Sequence, residues 1–96
     1  MKEYATAAAS AWGQPTEWVL HHRRDQPRCF ARHIAMWLMR QRGLSYTAIG
    51  RYFGYDRTNV LHAVRNVENA LETDKRLAAK VRQAASGLQT PQIAAT

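Results

Sequence analysis

The sequence predicts an all-α domain of five to six short helices built on a helix-turn-helix. Three observations predict it. Apolar residues recur at helical spacing between breaks at Gly13-Gln14-Pro15, Asp25-Gln26-Pro27, Gly43, Gly54 and Ser86-Gly87. No segment alternates polar and apolar residues as a half-buried strand does. Two helical segments are joined by a short turn holding Gly54, and the second opens on a polar cap. With 96 residues the chain has the size of one small domain. That domain is placed at residues 1–87. Residues 88–96, short, polar and Ala-rich with Pro91, read as a disordered tail.

Each element has its own signals. Tyr4, Ala8 and Trp12 share a stripe, which predicts a first helix over 3–12. A short second helix follows Pro15, with Thr16 as its cap and Trp18, Val19 and His22 on it. Over 28–42 an apolar stripe of Phe30, Ile34, Trp37, Leu38 and Gln41 opposes a polar side with Arg28, Arg32 and Arg40. Gly43 suits the end of that helix. Ser45 caps a helix over 46–53 that turns Ile49 and Phe53 inward. After the Gly54-Tyr55 turn, Asp56 caps a helix over 57–72 with Val60, Val64, Val67 and Leu71 as its core stripe, widened by Leu61 and Ala63. Thr73 is read as the cap of a last helix over 74–86, which buries Leu77, Val81 and Ala84 or Ala85. Trp12, Trp18 and Trp37 are expected in the core.

Charge narrows the function. The net charge is +7, and eleven of the fourteen basic residues are Arg, whose planar fork suits phosphates and base edges. Residues 21–65 hold nine Arg against Asp25 and Asp56, so the whole excess lies mid-chain. That is the footprint of a nucleic-acid-binding surface. No apolar run reaches the ~18 residues of a membrane span, and the start lacks the shape of a signal peptide. The lone Cys29 excludes an internal disulfide and fits a reducing compartment, hence a cytoplasmic, nucleoid-associated protein with no membrane partner.

The turn Asp56-Arg57-Thr58-Asn59 opens the second helix of the motif, where such folds enter the major groove. Arg57 can donate two bonds to guanine and Asn59 can pair with adenine. Asp56 can accept from cytosine, and the Thr58 methyl can touch thymine. The plainer alternative stays open: Asp56 acts only as a cap, and the rest is a solvated helix start. His62, Arg65 and Asn66 continue the polar face. The loop around Arg23 and Arg24 lacks apolar periodicity and suits a narrow, electronegative minor groove, or is a solvated linker. Arg28, Arg32, Arg40 and Arg51 are expected at the surface or on phosphates. His21, His22, Cys29 and His33 match no standard zinc spacing among so many cations, so no metal is expected. Cys29 beside His33 lacks a supporting acid, so no enzymatic activity is expected. No G-x-x-x-x-G-K-[ST] run is present, so neither a nucleotide nor another cofactor is expected.

The run Ala31-Arg32-His33-Ile34-Ala35-Met36-Trp37-Leu38, then Leu44-Ser45, Ile49-Gly50-Arg51-Tyr52-Phe53-Gly54 and Asp56-Arg57-Thr58-Asn59-Val60-Leu61-His62-Ala63-Val64-Arg65, resembles the C-terminal DNA-binding domain (domain IV) of the bacterial replication initiator DnaA. The resemblance spans residues 4–86. It implies a Trp repressor-like helical fold and double-stranded DNA as partner, at a DnaA-box-like site. It implies base contacts at Asp56 and Thr58, minor-groove contact by Arg24 or Arg23, and phosphate contact by Arg40. It also implies approach of Tyr46 and Thr47 to the DNA. Arg28, Arg32, Arg51, His62 and Arg65 are taken as backbone or supporting contacts. Arg57 and Asn59 replace a His and a Thr of the family pattern, so the recognised sequence is expected to differ. The ATPase module is not among these residues, so the sequence is either an excised fragment or, as Met1 and the non-family residues 88–96 favour, a free-standing small protein of phage or mobile-element origin, acting in replication or transcription control. The alternative is a protein-interaction module that binds initiator or regulatory proteins and touches DNA nonspecifically.

Overall fold

Six helices order the described residues of the computed structural model, 2–21 and 25–88: α1 (Lys2–Ser10), α2 (Thr16–Leu20), α3 (Arg28–Gln41), α4 (Tyr46–Phe53), α5 (Arg57–Thr73) and α6 (Lys75–Ser86). No strand occurs among them, as the sequence predicts. α3 is the axis of the fold and packs against all five other helices. Its Ile34, Ala35, Leu38 and Met39 are fully enclosed. α1 approaches closely because its buried face is nearly all alanine: Ala5, Ala7, Ala8 and Ala9. α5 brings Val60, Val64 and Val67 against the same core, and α6 closes it with Ala78, Val81 and Ala84.

Several boundaries move, each for a local reason. α1 ends at Ser10, and residues 11–13 turn through Gly13 at φ 65°. Thr16 is the first residue of α2 rather than its cap. The capping position is Pro15, which offers no side-chain bond, and the Thr16 hydroxyl lies 2.7 Å from that of Thr6. His22, expected on this helix, lies outside the described residues. The last helix is capped by Asp74, one residue later than expected, whose carboxylate accepts from the amides of Arg76 and Leu77. Thr73 instead returns its hydroxyl to the Asn69 carbonyl at 2.8 Å. Gln41 is exposed, not part of the core stripe. Leu88, read as the start of the tail, is buried in the core; residues 89–96 lie outside the described residues.

The tryptophans are marginal rather than central. Trp12, Trp18 and Trp37 are half-buried and pack on the rim of the core. Trp12 and Trp18 meet at 6.0 Å between ring centroids. Cations cover their outer faces, Lys80 on Trp12 and Arg28 on Trp18.

Candidate nucleic-acid interface

The helix-turn-helix is built from local backbone chemistry. The Ser45 hydroxyl accepts from the Ala48 amide and opens α4. Gly54 closes α4 in the left-handed region at φ 79°, a conformation a Cβ resists. The amides of Gly54 and Tyr55 both donate to the Gly50 carbonyl, at 2.7 and 2.9 Å. Asp56 then accepts from the Asn59 amide at 2.9 Å and starts α5. One carboxylate oxygen of Asp56 is thus occupied as a cap, and the other is left for an incoming partner. The predicted cap and the predicted contact are compatible in one side chain.

Beyond that cap the side chains divide by direction. Arg57, Thr58 and Asn59 are all exposed, as are His62 and Arg65. Thr58, His62 and Arg65 stand at i, i+4 and i+7, so they form one outward stripe along α5, opposite Val60, Val64 and Val67. Arg57 leans to the α4 side, into a cleft of about 250 Å³ shared with Arg40, Ser45, Tyr46 and Thr47. Asn59 leans to the α3 side, where a cavity of about 650 Å³ also takes in Cys29, His33 and His62. The four residues of the predicted reading turn therefore face in more than one direction.

The other predicted contacts fall into four groups. Arg40, Thr47 and Arg51 are exposed, and Tyr46 is half-buried beneath the Arg40 guanidinium, 4.6 Å from its ring centroid. Arg28 is only partly exposed, held by Trp18 and by Asp25 at 3.4 Å. Arg32 corrects the reading of α3 as carrying an outward basic face. It is 3% exposed, its Nε donates to the Val19 carbonyl at 3.1 Å, and its Nη2 donates to the His21 carbonyl. α3 is enclosed on nearly every side, and the C-terminal carbonyls of α2 need a donor there. Arg23 and Arg24, the predicted minor-groove residues, lie outside the described residues.

A polar chain crosses from α3 to α5 and joins Asn66, a link the sequence does not predict, to the Cys29–His33 pair that it does. The Asn66 side-chain nitrogen sits 3.0 Å from His33 Nδ1, and Cys29 Sγ lies 3.7 Å from His33 Nε2. With the amide donating, Nδ1 is the acceptor, and Nε2 carries the hydrogen toward sulfur. Among the described residues no group of three or more His, Cys, Asp or Glu side chains is placed to hold a metal.

Burial, and then the Arg32 charge, hold the His33 pKa below its ordinary value of 6.5. Above that value both folded and unfolded chains keep His33 neutral. As pH falls through it, the unfolded chain gains a proton that the folded chain refuses, so stability drops toward the folded-state pKa. Urea midpoints at about pH 7.5 and about pH 5.5 are therefore expected to separate more for the parent than for His33→Gln. Equal separations would remove His33 from the account.

Known proteins match over this same region. The family described as "Bacterial dnaA protein helix-turn-helix" matches residues 6–67, from α1 into α5. The chain is 35% identical over 71 residues to Chromosomal replication initiator protein DnaA 1 of Chlamydia trachomatis serovar D, covering 73% of this chain and 16% of that protein. It is 36% identical over 62 residues to Chromosomal replication initiator protein DnaA of Caldanaerobacter subterraneus subsp. tengcongensis, covering 64% of this chain and 14% of that protein. The chain thus spans a small part of the curated relatives it matches.

Proposed function

The chain belongs to the bacterial DnaA helix-turn-helix family, and from that premise we propose that it reads a specific double-stranded DNA site with α5 in the major groove. The carrying observation is the outward stripe of Thr58, His62 and Arg65. These polar side chains serve no core contact and stand beside the Asp56 cap and Asn59. Thr58 and Asn59 read base edges, and the second Asp56 oxygen accepts from a cytosine amino group. Arg23 and Arg24 supply the minor-groove contact, where narrow A·T-rich stretches attract guanidinium. The consequence of occupancy is control of replication initiation or of transcription at that site.

Fluorescence anisotropy tests this with a duplex carrying a DnaA box and a scrambled duplex, at two salt concentrations. A preference of about 100-fold or more for the box is expected of a specific reader. Thr58→Ala is expected to lose about 1–3 kcal/mol of discrimination at one base pair while keeping the salt slope. If box and scramble bind alike, selection from random duplexes follows. Failure to enrich any sequence overturns specific reading and leaves a protein-interaction module. Absence of binding to any duplex overturns the DNA reading altogether.

A further inference from the structure

We infer that Arg57 and Arg40 together form a phosphate pocket on the α4 side of α5, so that Arg57 sets affinity and docking position rather than base choice. The inference rests on the proposed DNA reading and reassigns one residue of the reading turn.

The geometry starts from Arg40. Its Nη1 donates to the Leu44 carbonyl at 3.1 Å, and its guanidinium lies over the Tyr46 ring. Those two contacts hold a long side chain in place before any partner arrives, which lowers the entropy lost on binding. Arg57 enters the same cleft from the first position of α5. Among the described residues neither guanidinium is ion-paired with a carboxylate. Hydroxyl-bearing side chains complete the lining, the aliphatic Ser45 and Thr47 and the phenol Tyr46. Ser45 Oγ already accepts from the Ala48 amide, so its own hydrogen remains to be donated outward. Every polar side chain in the cleft is thus able to donate, and none is a carboxylate.

Two cations and the hydroxyls beside them, without a carboxylate, match the acceptor-rich oxygens of one phosphodiester. A guanine edge presents only two acceptors, enough for one guanidinium but not for two cations and the hydroxyls beside them. Arg57 also leans away from Asn59, which opens to the other side of α5. Thr58 and Asn59 are left with the bases, and Arg57 grips the strand beside them.

The test measures binding of the parent, R57A, R40A and the double variant to box and scrambled duplexes across a salt series. R57A is expected to weaken binding to both duplexes by the same factor and to flatten the log–log salt slope by up to about one unit. Since both arginines serve one phosphate, the double variant is expected to lose about one unit in all rather than about two. A set of box duplexes, each with one phosphate replaced by an uncharged methylphosphonate, locates the contact. At one position the parent is expected to lose affinity, R57A and R40A to lose less, and the double variant to lose nothing further. An R57A variant that keeps the parental slope but relaxes preference at a single base pair would make Arg57 a base reader and overturn the inference. So would slope losses that add to about two units. Lack of binding by the parent itself would sink the DNA reading instead, a result distinct from both. Arg57 is exposed, so an unchanged urea midpoint for R57A separates lost contact from lost fold.

Discussion

Replacing Arg32 with Met is expected to lower the unfolding free energy by about 3 kcal/mol, among the largest effects of any single change outside the apolar core. The side chain is enclosed, and it supplies donors to the Val19 and His21 carbonyls. A hydrogen bond from a charged donor contributes about 1.5–3 kcal/mol net, and the Val19 carbonyl, left buried without a donor, adds a desolvation penalty. Removing the guanidinium also removes the cost of burying it, which offsets part of the loss. Met fills the space of the aliphatic stem, so little cavity forms. Against a total stability of about 5–15 kcal/mol the remainder is a large fraction. Urea unfolding checks it: the midpoint is expected to fall with the slope unchanged. A loss below about 1 kcal/mol would mean that water replaces the guanidinium at those carbonyls.

Gly50→Ala is expected to destabilise by about 2 kcal/mol, although alanine is the better helix former by about 1 kcal/mol. The added Cβ would stand 2.4 Å from the Tyr55 carbonyl oxygen and 3.3 Å from its carbon. Those atoms are backbone, and they cannot swing aside, because the Gly54 and Tyr55 amides are tied to the Gly50 carbonyl. Overpacking of this kind costs about 1–3 kcal/mol, and a contact with pinned backbone belongs at the upper end. The clash therefore wins over the propensity gain. Thermal unfolding is expected to shift down by about 10 °C for a domain of this size. A variant as stable as the parent would show that the turn yields, and weakened DNA binding at full stability would show that it yields by moving α5.

The same two residues mark where the sequence stopped being legible. Ser45 and Asp56 could be read as caps because capping is settled within three residues, by a side chain and an amide close along the chain. Thr73 reads as the last cap, yet Asp74 beside it caps equally well, and only the backbone decides which one stands at the helix start. The valine stripe of α5 was legible because that helix has one buried face. α3 has almost no outer face, so the rule that sends arginine outward fails at Arg32, where the end of α2 needs a donor. Gly50 carries no local sign at all, since its neighbour arrives from beyond the turn. Asn66 and His33 stand 33 positions apart, and periodicity within one helix says nothing of their meeting. In the candidate site, position 57 was legible as polar and exposed, but its lean toward Arg40 depends on how α4 packs beside α5.

The exposure of Arg57, Thr58 and Asn59 has a consequence for how such a protein can change. None of the three side chains is buried in the core, so on the proposed DNA reading a new residue at any of them alters binding without taxing the scaffold. Asp56 is the exception, because its carboxylate also starts α5. On the proposed DNA reading, a lineage of this fold is therefore free to drift in preference at Thr58 and Asn59 and in grip at Arg57, and is anchored at Asp56. Divergence of target sequence then requires no compensating change in the interior.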